Sequence, residues 1–158
     1  MQCIPIGVIH SPFKELAGMP VQSAGAAGVQ GSVEVFPDFR DGLQDLEGYS
    51  HIILLYHFHR SQGYDLCVIP FLDHRPRGLF ATRAPRRPNP IGLSVVKLLG
   101  IRGGTLHVEN VDIVDGTPLI DIKPYVRKFD APTGTREGWY EEATEDWSET
   151  RADRRFLS

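Results

Sequence analysis

The chain reads as a mainly β protein, a small barrel or sandwich, on two observations. Sixteen Gly and twelve Pro punctuate 158 residues. Between those turn residues short β-branched runs recur, while stripes of helical period are scarce. Strands are expected at residues 4–10, 29–36, 51–59, 65–72, 78–83, 92–99, 105–113 and 119–124.

In chain order, the first strand gives way to a long loop over residues 11–28, where Pro12, Gly18, Pro20, Gly25 and Gly28 interrupt any periodicity. Loops of that length in a compact domain commonly carry function. Gly25, Gly28 and Gly31 recur at every third position and would let backbone approach an anion. No helix follows to complete a phosphate site, so the signal is weak and flexible turn chemistry is the better account of them. Across 29–36, Val29, Gly31, Val33 and Val35 alternate with polar residues, as a strand solvated on one face requires. A short helix is expected at 41–46. Ile52 to Tyr56 is apolar at every position and so reads as a central strand. Arg102-Gly103-Gly104 and Asp115-Gly116 supply hairpin turns, since Gly adopts positive φ readily. Over 139–155, Trp139, Ala143, Trp147 and Arg151 share one helical stripe. The expected organisation is one barrel domain, 1–135, with a long N-terminal loop, followed by a short acidic helical tail, 136–158.

Charge placement matters more than its total. The net charge is −3 with a pI near 6.0, which on its face disfavours nucleic acid. Seven acids and four arginines fall from Arg136 onward, so the tail alone holds that −3 and the remainder is neutral. Within the neutral part, Arg75, Arg77, Arg83, Arg86 and Arg87 form a run without an acid. A hydrophobic fraction of 41% suffices for an ordinary core. No apolar run approaches the ~20 residues of a membrane helix, and no signal peptide is visible at the start. Cys3 and Cys67 lack CxxC spacing and are expected as reduced, half-buried thiols. A soluble, cytoplasmic protein is expected.

Three groups of residues carry candidate chemistry. In LFATRAPRRPNPIGLS (79–94), Pro85, Pro88 and Pro90 stiffen the backbone that presents Arg83, Arg86, Arg87 and Asn89. A guanidinium offers planar forked donors for carboxylate or phosphate, and a stiff frame reduces the entropy lost on binding. Pairing with the acidic tail is the plainer alternative, but such surface pairs contribute only about 0–1 kcal/mol each and do not account for the prolines. Around the Asp115-Gly116 turn, Asp112, Asp115 and Asp121 could serve as a general base or hold a cation, with Asp121, Lys123 and Tyr125 on one face of a strand. The plainer alternative there is a turn with an Asp121–Lys123 edge pair. His57 and His59 lie two apart on a strand, but a metal needs further ligands and no spacing nominates one, so no metal is expected. Phe36, Phe58 and Phe71 suit the core, and His51 a structural place.

Taken together, IGVIHSPFKE, LEGYSHIILLYHFHR, FATRAPRRPNPIGLS and VDIVDGTPLIDIKPY, in this order, resemble the TrmO (TsaA-like) family. The resemblance runs from Ile6 to Phe129, about four-fifths of the chain. It implies a small β-barrel methyltransferase that forms homodimers and uses S-adenosylmethionine to methylate N6-threonylcarbamoyladenosine of tRNA. Cofactor contacts are then expected from Ser23, Ala24 and Gly25, from His59 and Arg60, from Arg83 and Leu93, and from Glu109, Asn110, Val111 and Asp112. Asp112, Asp121 and Tyr125 become the candidates for accepting the N6 proton. Arg86, Arg87, Asn89 and Lys123 become candidates for holding RNA phosphates or the threonyl carboxylate. Two other classes remain open. A non-enzymatic RNA-binding barrel would bind tRNA in a salt-sensitive way without cofactor, and a metal-dependent small-molecule enzyme built on His57 and His59 would carry stoichiometric metal.

Overall fold

Six strands close into an antiparallel barrel in the computed structural model, which describes residues 2–143, 146, 148–153 and 156. In chain order the strands are β1 (Gly7–His10), β2 (Gln30–Val35), β3 (His51–His57), β4 (Cys67–Val68), β5 (Arg77–Gly78), β6 (Ile91–Arg102), β7 (Thr105–Glu109) and β8 (Thr117–Pro124). Around the barrel the order is β1-β2-β7-β6-β3-β8, and β8 returns to β1 through Gly7↔Leu119. Strands β4 and β5 make a separate two-stranded sheet.

Period-two alternation fills the interior. Ile9, Val33, Val35, Ile52, Leu54, Val96, Leu106, Val108 and Leu119 are each at most 1% exposed. Burying side chains of this size stabilises by about 1.5–3 kcal/mol apiece. β3 is central as expected, paired on one edge with β6 and on the other with β8. Its outward residues Ile53 and Leu55 oppose Val95 and Leu93 of β6, making an apolar patch on the outside of the barrel. Among the described residues no helix is long and apolar enough to cross a membrane.

Several elements differ from the sequence reading. The strand expected at 78–83 is a 3-10 turn, Leu79–Ala81, after the two-residue β5. Side chains rather than a neighbouring strand satisfy its carbonyls: Thr82 Oγ1 donates to Leu79 O (2.8 Å), and Arg87 Nη1 donates to Thr82 O (2.9 Å). The 65–72 run shrinks to β4 for want of a long partner. β7 stops at Glu109 because Asn110 turns into the left-handed region (φ 70°), where its Oδ1 accepts the Gly28 N–H at 3.0 Å. The short helix at 41–46 is replaced by 3-10 segments at Pro37–Leu43 and Leu46–Gly48.

Among the described residues the tail is helical only in a 3-10 segment at Gly138–Glu142. Its later backbone makes one turn, in which the Glu149 and Thr150 N–H groups donate to Asp146 O, and then pairs with the N-terminal loop: Gly18 N–H donates to Ala152 O (2.8 Å), and Ala152 N–H to Met19 O (2.7 Å). Trp147 of the expected stripe, and residues 154–155, lie outside the described residues. Phe156 is 8% exposed and joins Val68, Leu79 and Ala84 in a second small core, edge-on to Phe71 at 5.0 Å. The two cysteines are exposed rather than half-buried, and Phe36 is 37% exposed because its turn lies outside the barrel.

Candidate active site

The alternation of β3 and β6 that fills the barrel also puts polar groups at one end of it. Tyr56 follows Leu54 inward on β3, and its register partner is Gly92 on β6. A Cβ at Gly92 would overlap the Tyr56 ring, so only glycine lets the ring lie flat against β6. Two residues on, Ser94 also points inward, and its Oγ lies 3.0 Å from the Tyr56 hydroxyl. Ser94 Oγ donates to Asp112 Oδ1 at 2.6 Å. With that hydroxyl proton committed to Asp112, the Tyr56 hydroxyl is the donor to Ser94.

A cavity of about 370 Å³ opens over this network, lined among others by Tyr56, His59, Arg60, Arg83, Leu93 and Asp112. Ligand sites start at about that size, mostly apolar with a few placed polar groups. Burial pushes the Asp112 carboxyl up to about 6, against the Ser94 hydrogen bond and the Arg83 charge, which both pull it down. Burial, and then the nearby Asp112 carboxylate, hold the Tyr56 hydroxyl protonated far above its ordinary range. His59 is lowered, first by burial and then by the Arg60 charge. Arg83 Nη1 donates to Gln22 Oε1 at 3.2 Å, and Arg60 Nη1 to Lys14 O at 2.8 Å. Lys14 is itself fixed, its Nζ 2.6 Å from Asp115 Oδ2, while Asp115 Oδ1 accepts the Ser11 N–H. The Lys14 hydrogen bond is the main reason the Asp115 carboxyl sits below its ordinary value.

Of the cofactor, catalytic and RNA-binding residues expected from the sequence, His59, Arg60, Arg83, Arg87, Leu93 and Asp112 line this cavity. The others do not. Ser23, Ala24 and Gly25 form a 3-10 turn beginning just after Gln22, and it is Gln22 that reaches the cavity wall. Val111 is 0% exposed in the barrel core, Asn110 holds Gly28, and Glu109 lies 3.5 Å from Lys97. Asp121 and Lys123 form the plain edge pair, 2.7 Å apart, and Tyr125 packs edge-on to His51. Arg86 meets Asp65 at 3.3 Å beside a second, more open recess, and Asn89 is exposed on its loop. Arg87 is turned to the carbonyls of its own loop. His57 is exposed at the end of β3, and among the described residues no three His, Cys, Asp or Glu gather as a metal site.

Sequence reasoning missed Tyr56 and Ser94. A signal existed: Gly92, Ser94 and Val96 share the inward set of β6, and a lone Ser there demands a partner. It also missed that the tail walls the cavity through Trp139, Tyr140, Ala152 and Phe156.

A closed antiparallel barrel with a hydroxyl–carboxyl network under a cavity, and arginines at its mouth, has the build of a β-barrel enzyme domain for a small charged ligand. Residues 8–131 match the family model described as the tRNA-methyltransferase O N-terminal domain. The chain is 53% identical over 154 residues to a probable S-adenosyl-L-methionine-binding protein of Pyrococcus abyssi, covering 98% of this chain and 84% of the relative. It is 35% identical to the human tRNA (adenine(37)-N6)-methyltransferase, covering 84% of this chain but 32% of that one. A crystal structure of TrmO from Pseudomonas aeruginosa superposes with a TM-score of 0.74 at 40% identity, over 87% of this chain and 62% of that chain. The chain thus spans under two thirds of the latter two. It belongs to the family of the tRNA-methyltransferase O N-terminal domain.

Proposed function

We propose that this chain is an S-adenosylmethionine-dependent methyltransferase acting on N6 of threonylcarbamoyladenosine at tRNA position 37, the position in the human relative's name. The observation that carries the reading is the Asp112–Ser94–Tyr56 network beside Arg83 in one cavity.

The donor set fits the cofactor. Arg60 and Arg83 at the mouth suit the methionine carboxylate, and Phe58 and Leu93 offer apolar wall to the adenine. Asp112 places negative charge where a sulfonium would be welcome. Ser61 Oγ, in the same wall, is buried with no hydrogen-bond partner among the described residues, as a group awaiting a ligand would be. His59 completes the rim, and Gln22 takes the place first assigned to Ser23, Ala24 and Gly25. The cofactor supplies a methyl group on positively charged sulfur, ready for in-line displacement.

What the protein adds is position and a proton acceptor. Holding donor and acceptor in line supplies about 7–11 kcal/mol. A general base adds about 10²–10⁴-fold, or roughly 3–5 kcal/mol, so position is the larger share. The urea-like N6 is a weak nucleophile, and Asp112 accepts its proton as the new N–C bond forms. Ser94 and Tyr56 keep the carboxyl oriented. Asp121 and Tyr125, remote from the cavity, have no part in this scheme.

The protein works as a homodimer in this reading, in the cytoplasm with its tRNA. Support comes from Ile91 and Leu93, 40% and 49% exposed, which extend the Ile53–Leu55–Val95 patch to the cavity edge. In this reading the barrel, 1–135, holds the chemistry, and the tail, 136–158, walls the site through Trp139, Tyr140, Ala152 and Phe156. Calorimetric titration with S-adenosylmethionine, followed by methylation of tRNA from cells lacking the gene, tests the whole. Absence of cofactor binding would overturn it.

A further inference from the structure

Beside the cavity, the turn Leu79–Ala81 carries an aromatic ring, Phe80, that the chemistry above leaves unused. Phe80 is 75% exposed, the largest exposure of any large hydrophobic side chain among the described residues, while Leu79 next to it is 1% exposed and anchors the turn. The Arg87 guanidinium lies 5.8 Å from the Phe80 ring centroid. Trp139 holds the same turn by donating Nε1–H to Ala81 O at 2.7 Å, stacks on Tyr140 at 3.9 Å, and has Arg77 at 5.4 Å. Arg87, Trp139 and Tyr140 all line the cavity, so Phe80 stands at its rim.

A single exposed apolar residue is ordinary. A phenyl ring on an anchored turn, next to a guanidinium at the mouth of the cofactor cavity, is the arrangement that holds unpaired nucleobases, which stack on aromatic faces and guanidinium planes. Drawing an adenosine into the cavity strips its neighbour of a stacking partner, and something must replace that partner. We propose that Phe80, on the turn fixed by Trp139, is a stacking platform for the unpaired RNA base adjacent to the methylated adenosine. This rests on the tRNA reading above.

The test uses the full chain, a synthetic anticodon stem-loop RNA bearing threonylcarbamoyladenosine, and the same RNA with an abasic site beside that nucleotide. Phe80→Ala is expected to weaken binding of the intact RNA about tenfold, within the range for loss of one base–aromatic stack. Phe80→Tyr should retain it, and S-adenosylmethionine affinity should not move in either variant. On the abasic RNA, wild type and Phe80→Ala should bind alike. Equal binding of the intact RNA by wild type and Phe80→Ala would overturn the proposal while leaving the enzyme reading in place. So would an undiminished loss on the abasic RNA, or a loss that merely tracks a change in oligomeric state, which would give Phe80 to a second copy of the chain. A wild type that binds cofactor but no RNA would remove both the proposal and the tRNA substrate.

Discussion

Replacing Asp112 by Asn separates its cost to folding from its use in catalysis. The variant keeps an acceptor for the Ser94 hydroxyl at nearly the same shape but cannot ionise. In the native protein the carboxyl is raised from 3.8 to about 6, mainly by burial. At about 1.36 kcal/mol per pKa unit, this corresponds to at most about 3 kcal/mol of stability forgone at neutral pH. The sign follows from which state holds the proton longer. The folded state does, so its advantage is full below about pH 4 and disappears as the pH rises through 6. Asp112→Asn should therefore melt close to wild type at pH 4 and several degrees higher at pH 8. Methyl transfer should fall by about 10²–10⁴-fold, and the rise in wild-type rate through pH 6 should flatten. Thermal unfolding at the two pH values, with a pH–rate profile, reads both effects. Matching melting curves at pH 8, or a variant with wild-type turnover, would refute the reasoning.

Arg83→Ala should weaken S-adenosylmethionine binding roughly 10- to 100-fold by calorimetry, since a hydrogen bond to a charged group is worth about 1.5–3 kcal/mol. Gly92→Ala drives a methyl group into the Tyr56 ring; a loss of about 1–3 kcal/mol in denaturant unfolding is expected. Phe156→Ala removes the edge-on contact with Phe71 and the plug of the second core. Limited proteolysis should then cut within residues 146–153 faster, while the melting of the barrel stays put.

The barrel was legible because its signal is local. Val33, Val35, Ile52, Leu54 and Val96 alternate or run as strands must, and the turns at Gly103-Gly104 and Gly116 take positive φ. The 79–83 segment was not, because its conformation is decided by Arg87 and Thr82 bonding to carbonyls, a competition that pattern reading cannot weigh. Arg87 looked like a ligand group for the same reason: nothing in sequence distinguishes a guanidinium facing substrate from one facing its own backbone. The tail misled because Trp139 and Ala143 do fall at helical spacing, yet the backbone around Ala152 is pulled into pairing with Met19 by contacts far away in sequence. In the site, the proline-stiffened loop and the carboxylates near the Asp115-Gly116 turn nominated Arg83 and Asp112, and the family resemblance gave them a cofactor; Ser94 left only the signal of a lone inward serine, and its partner Tyr56 is identified once β3 and β6 are in register.

Strand β6 places its neighbours on opposite sides of one wall: Gly92 and Ser94 face the hydroxyl–carboxyl network, while Ile91 and Leu93 face outward. Because the period is two, a single inserted or deleted residue between Pro90 and Val96 would exchange the two sets at once, setting leucine against the Asp112 carboxylate and serine on the outside. Point substitutions here are graded in effect, but a change of length by one is not. The register shift between Leu98 and Gly100 marks where such slack is already absorbed. Length variation along this strand should be tolerated beyond that point and nowhere before it.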